Sequence, residues 1–248
     1  MAEIGHIALV LALVAAIYTV VAAFISARFG PRYLARSTQS SILAVFGLYT
    51  LALGLILYAF YAKDFSFRIV AEHSSRDLPA VYTLSALYAD KAGSMFFWGW
   101  LVSLFAALLV WRRSANQQPV IPYALAILAI VEAFFTALIT FRVNIFEKCL
   151  PSPADGLGLN PLLQNFGMLI HPPLLYIGFA GFAVVFALVI AALISHCPSM
   201  GWSSQVRRWT IFAWCALGIG NLVGMWWSYN ELGWGGSVSY THLTLPTN

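Results

Sequence analysis

A chain of 248 residues that is 61% hydrophobic and only 9% charged is not a soluble globular domain, in which about a quarter of the residues carry charge. Its net charge of +4 comes from thirteen basic and nine acidic residues, too few and too scattered for a nucleic-acid surface. The composition is that of an integral membrane protein whose first partner is the lipid bilayer.

The opening Met1-Ala2-Glu3-Ile4-Gly5-His6 lacks the positive start of a signal peptide, so the first apolar segment is expected to stay as a membrane helix. Six apolar segments of about twenty residues read as spans, at 7–27, 40–62, 93–111, 120–141, 172–195 and 209–229. A shorter apolar piece, 78–87, is followed by Asp90 and Lys91 and reads as an interfacial or re-entrant helix. The fold class expected is all-α, a polytopic membrane helix bundle with about six transmembrane helices and one interfacial helix. There is no internal repeat and no low-complexity tract. Cys149, Cys197 and Cys215 form no Cys-x-x-Cys pair, which excludes a thioredoxin-like motif and covalent haem attachment to this chain.

The connections after the first, third and fifth spans carry Arg28, Arg32, Arg36, Arg112, Arg113, Arg207 and Arg208 and no acid. The longer connections after the second and fourth mix basic residues with acids. Positive charge marks the cytoplasmic side, so the N-terminus, both longer loops and the end of span six are expected outside.

Span six carries Ala216, Gly220 and Gly224 at intervals of four, a spacing that lets a partner helix approach closely. Trp226, Trp227, Tyr229, Glu231, Leu232, Gly233, Trp234, Gly235 and Gly236 follow. Interfacial anchoring accounts for any two of these aromatics. Their bunching with glycines at one helix end also suits a platform for a large planar ligand. Residues 237–248 are polar and change character. The domain expectation is a truncated membrane domain over 1–236, then a non-native or unstructured tail over 237–248, the natural frame continuing with further tryptophans and spans. His242 in that tail carries no weight.

The stretch 160–178 centres on His171, followed by Pro172 and Pro173. Proline suits the first turn of a helix, so the pair is expected to mark a helix start with His171 at its mouth. A histidine there offers a ring nitrogen to a metal or cofactor, or simply hydrogen-bonds at the interface.

Read together, four places resemble the N-terminal part of the CcmF-type haem lyase subunit of bacterial cytochrome c maturation, in the CcmF/CcsA haem-handling superfamily. They are Ala2-Glu3-Ile4-Gly5-His6; Lys63-Asp64-Phe65-Ser66 through Val70-Ala71-Glu72-His73-Ser74 with Leu78-Pro79; Asn160-Pro161-Leu162-Leu163-Gln164 with His171-Pro172-Pro173-Leu174-Leu175-Tyr176-Ile177-Gly178; and Tyr229-Asn230-Glu231-Leu232-Gly233-Trp234-Gly235-Gly236. The third is the most specific, and the resemblance spans about residues 1–236.

The resemblance implies cytochrome c biogenesis: haem is positioned at the outer face of the bacterial inner membrane and its vinyl groups are joined to apocytochrome c thiols as thioethers. It implies His171 as an axial ligand to the haem iron, and Trp226, Trp227, Trp234, Gly235 and Gly236 as haem-binding positions. The partners implied are a haem chaperone, the other maturation subunits and apocytochrome c. The family's second external histidine and its two membrane histidines for b-type haem fall beyond residue 236. Ser237 stands where the family continues with tryptophan, and Tyr88-Ala89-Asp90-Lys91-Ala92-Gly93-Ser94 departs from a tryptophan-, histidine- and glutamate-bearing pattern. This piece alone is expected to be inactive as a lyase, and no catalytic residue is assigned. Arg142 and Lys148 are candidate partners for the haem propionates.

Glu132 is the one acid inside a span. Such groups face protein or water, so it is expected to hydrogen-bond to a neighbouring helix, with a proton or quinol path as the alternative. His6 and His73 are expected to be solvated, and His196 to be a loop residue. Two other classes remain: a membrane haem or quinone oxidoreductase subunit, which calls for paired histidines within spans, and a transporter, which calls for polar breaks in mid-span.

Overall fold

The computed structural model describes residues 1–111, 120–196 and 201–232. In chain order the helices are α1 (Ala2–Phe29), α2 (Arg32–Tyr61), α3 (Arg68–His73), α4 (Ala80–Ser85), α5 (Lys91–Trp111), α6 (Val120–Phe141), α7 (Phe166–Ser195) and α8 (Gly201–Leu232). Short 3-10 turns lie at Ala86–Tyr88 and Pro161–Leu163. Among the described residues the only β pairing is one isolated antiparallel bridge, Phe67 with Lys148. Helices satisfy their backbone groups internally, which a lipid-spanning chain requires. Six helices, α1, α2 and α5 to α8, are long and apolar enough to cross a membrane. The piece expected at 78–87 is α4 and its 3-10 turn, too short to span.

The helices outrun the apolar segments that announced them. α2 starts at Arg32 rather than 40, and α8 at Gly201 rather than 209. Nothing in these polar turns breaks a helix, so it continues past the apolar run with its arginines at the end. The sharpest stop is Gly30, whose φ of 73° and N–H bond to the Ser26 carbonyl close α1 before Pro31 opens α2.

α1 packs between α2 and α6, and α5 touches α2, α6 and α7. α8 lies along α7 and leaves Trp214, Leu222 and Trp226 exposed. One apolar core, with Tyr49, Phe60, Val70, Phe96 and Phe146, fills the end bearing the two long loops. A second, with Val102, Leu125, Leu128, Val184 and Leu188, fills the end bearing the arginine-rich turns.

The two long loops form one cap. Arg68 N–H donates to the Glu147 carbonyl (2.9 Å) and Cys149 N–H to that of Ser66 (2.8 Å). The Arg76 backbone N–H donates to Asp155 Oδ1 (3.0 Å) and its guanidinium to the Ala154 carbonyl (2.9 Å). Lys63 Nζ donates to Ser74 Oγ, the Leu78 carbonyl and Thr83 Oγ1, at 3.2, 3.1 and 2.9 Å. Burial pushes this ammonium below the usual lysine value, and Asp155 pulls it partly back. The cap stands over the end of the bundle where α7 begins.

Candidate functional site

The double proline does not open the helix. α7 begins at Phe166, and Pro172 and Pro173 lie inside it. The start belongs to Asn165, whose side chain accepts from Gly167 N–H at 2.7 Å, a regular N-cap. Each proline removes an N–H that would have reached the carbonyl four residues back, here those of Met168 and Leu169. The Leu169 carbonyl instead accepts from Tyr88 Oη at 3.2 Å. Burial pushes the Tyr88 phenol up to about 12, so it keeps the proton it donates. His171 is therefore held inside the second turn of α7.

Positions 167, 171, 174, 175, 178 and 181 fall on one face of α7 at helical spacing, and that face meets α8. The glycines make the approach possible. A Cβ built on Gly181 would stand 2.8 Å from Ala213 Cβ, and one on Gly220 3.1 Å from Leu174 Cβ. A Cβ on Gly224 would stand 2.5 Å from both Nδ1 and Cε1 of His171. The expected small-residue stripe thus packs a helix of the same chain, and it also makes room for an imidazole.

His171 Nδ1 lies 2.7 Å from the Gly220 carbonyl oxygen. A carbonyl only accepts, so Nδ1 carries the proton and the lone pair of the neutral ring sits on Nε2. Among the described residues nothing hydrogen-bonds to Nε2. The Trp227 ring lies 6.0 Å from the imidazole, tilted by 56°, and its Nε1 is buried without a hydrogen-bond partner among the described residues. At the end of the seam Asn165 Nδ2 donates to Glu231 Oε1. The start of α7 is thereby tied to the end of α8.

Of the residues singled out in the sequence, the structure joins His171 with Trp227 and leaves Trp226 exposed on another face of α8. Trp234, Gly235 and Gly236, and the tail at 237–248, lie outside the described residues. Arg142 and Lys148 are exposed. His73, expected to be solvated, is half-buried with Nδ1 3.2 Å from the Ile69 carbonyl. His6 is half-buried too, its Nδ1 without a partner among the described residues. His196 ends α7 in a left-handed conformation. Glu132 is buried and faces the Tyr49 phenol of the neighbouring helix α2, though neither carboxyl oxygen makes a hydrogen bond of regular geometry among the described residues.

Sequence reading missed Gly220 as the imidazole's orienter, Tyr88 as a support of the proline turn, and Asn165 with Glu231 as the clasp. The signal for Asn165 was visible as an N-cap residue just before a helical run. A backbone carbonyl leaves no such signal.

The family model for the cytochrome C assembly protein matches residues 88–245, more than half of the chain. The chain belongs to the cytochrome c assembly protein family. A cytochrome c-type biogenesis protein CcmF of Pseudomonas fluorescens is 38% identical over 236 residues, covering 94% of this chain and 36% of that protein. The NrfE protein of Haemophilus influenzae is 39% identical over 187 residues, covering 75% of this chain and 29% of its own length. A solved structure of cytochrome c heme lyase CcmF superposes with a TM-score of 0.81 at 28% identity, over 95% of this chain and 37% of that one. The chain thus spans about a third of the length of these family members. Membership accounts for the multi-pass bundle, and the curated relatives carry names in cytochrome c-type biogenesis.

Proposed function

We propose that this chain is the part of a multi-subunit haem lyase that receives haem at the outer face of the bacterial inner membrane and holds it for transfer to apocytochrome c. The observation that carries this reading is His171, oriented by the Gly220 carbonyl at 2.7 Å beside Trp227, with no hydrogen bond to Nε2 among the described residues. Metal-binding histidines are oriented in this way: the second ring nitrogen donates to a carbonyl, which fixes the tautomer and raises the basicity of the first.

The residues present fit the group. His171 Nε2 would be a donor to the iron. Trp227 would offer an aromatic face and an N–H without a hydrogen-bond partner among the described residues, Trp226, Trp234, Gly235 and Gly236 are haem-binding candidates by resemblance alone, and Arg142 and Lys148 are candidate partners for the propionates. When bound, haem supplies the vinyl groups that become thioethers on the apocytochrome's cysteines. The chain's own share is to bind, orient and present. His171 fixes one position, the seam keeps the imidazole from turning, and the clasp between Asn165 and Glu231 holds the end of α8 in register. A haem chaperone and further maturation subunits would deliver and complete the reaction.

The cap and His171 share the end of the bundle away from the arginine-bearing turns, and the positive-inside rule assigns that end to the periplasm. In a cysteine-free background, cysteine at Ser152 is expected to react with a membrane-impermeant thiol reagent in intact cells, and cysteine at Phe29 only after lysis. The reverse pattern would put His171 on the wrong side for this function.

The function itself is tested by complementation. In a bacterium lacking its own family member, the full-length protein is expected to restore covalent c-type cytochromes on haem-stained gels and to carry haem when purified. Restoration without haem on the protein would reduce its role to assembly, and no restoration would overturn the reading.

A further inference from the structure

Glu132 stands in the middle of α6, 4% exposed, with both carboxyl oxygens lacking a hydrogen-bond partner among the described residues. It borders a cavity of about 20 Å³ between α1, α2, α5 and α6, where Thr19 and Ser103 supply the other polar side chains. About 10–15 Å³ on this measure admits one water, provided the water finds two to four polar partners. The volume and the polar walls suit a single molecule.

Hydrogen-bond accounting around the cavity assigns the proton. Thr19 Oγ1 has its hydrogen committed to the Ala15 carbonyl (2.7 Å) and Ser41 Oγ (2.8 Å). Ser103 Oγ donates to the Trp100 carbonyl at 2.7 Å. Each hydroxyl therefore has only lone pairs left to offer. Tyr49 is the titratable group facing Glu132. Thr136 Oγ1 donates to the Glu132 carbonyl (2.6 Å), so at the 2.8 Å contact between Tyr49 Oη and Thr136 Oγ1 the phenol is the donor. Its hydrogen is also spent. Among the described residues no lysine, arginine, histidine or second acid lines the cavity. A carboxylate here would lie in an apolar interior with one donor group beside it, the Tyr49 phenol, which already donates to Thr136, and an ion so placed is costly to bury. A carboxylic acid completes the set: it donates to the water, and the water donates to Thr19 Oγ1 and Ser103 Oγ.

We propose that Glu132, Thr19 and Ser103 form a proton-binding site inside the bundle, a protonated carboxyl group sharing one buried water. Its ligands are a proton and a water molecule, and it is separate from the His171 seam.

Infrared spectroscopy of the purified full-length protein in lipid tests this. At neutral pH the protein is expected to show a carboxylic-acid carbonyl band that shifts in D2O and is absent in Glu132→Gln, whose amide keeps the shape of the neutral acid. Thr19→Val keeps the side-chain volume and removes one acceptor, so it is expected to move that band without deleting it. This second variant keeps the test decisive if Glu132→Gln folds poorly. An unchanged acid band in Glu132→Gln would mean that the group is ionised and would overturn the proposal. So would a band indifferent to both D2O and Thr19→Val, which would describe a dry carboxyl with no exchanging water.

Discussion

His171→Ala in the full-length protein is expected to reduce c-type cytochrome accumulation to the level of a strain without the protein, while its amount in the membrane stays normal. The expectation rests on how little the fold draws from this side chain. His171 is half-buried, and its side chain makes one hydrogen bond among the described residues, to the Gly220 carbonyl. Such a bond contributes about 1 kcal/mol net. The α7–α8 seam is otherwise held by Gly178 against Leu217, Gly181 against Ala213, and the Asn165–Glu231 clasp. Loss of the imidazole removes the proposed iron donor and leaves the helix pair closed. His73→Ala, by contrast, removes a ring bonded to its own helix's Ile69 carbonyl and should leave maturation near normal. Immunoblots of the membrane fraction beside haem-stained gels check both variants. Normal cytochrome levels in His171→Ala would remove the histidine from the account.

The second large effect is expected from a residue with no functional group. Gly224→Ala puts a Cβ 2.5 Å from Nδ1 and Cε1 of the imidazole, closer than side chains pack. The ring must leave the Gly220 carbonyl, and its tautomer and direction are then no longer fixed. Removing the partner that orients a metal-bound histidine typically costs about 10- to 100-fold in metal affinity, and a loss of haem affinity in that range is expected. Gly218 is the matched control: it lies on the same helix, and a Cβ there meets nothing within 4 Å, so Gly218→Ala should bind haem normally. Haem titrations of the two purified variants decide the matter. Equal affinities would show that the approach of imidazole to helix backbone has no part in binding.

Much of this arrangement was legible in the sequence. The six spans were, because lipid demands long apolar runs and this chain supplies them. Their ends were not, since residues 33–39 and 202–208 are largely polar but contain no glycine or proline to stop a helix. The proline pair misled for a specific reason. Pro172 and Pro173 fit a first turn, but Asn165 had already capped the helix, and Tyr88 from a distant loop satisfies the Leu169 carbonyl. The glycines of span six were recognised as places of close approach, yet spacing alone does not say that an imidazole comes close. Trp226 and Trp227 look alike in sequence. Adjacent positions on a helix point about 100° apart, and only in three dimensions does Trp227 meet His171 while Trp226 stays exposed.

The central claim is that His171 Nε2 is an iron donor. Its most direct test is the absorption spectrum of the haem-loaded full-length protein, compared with His171→Ala before and after addition of free imidazole. The account predicts a Soret band altered or lost in the variant and restored by imidazole occupying the vacated site between Gly220 and Trp227. A variant spectrum identical to that of the unmodified protein, and indifferent to imidazole, would contradict it.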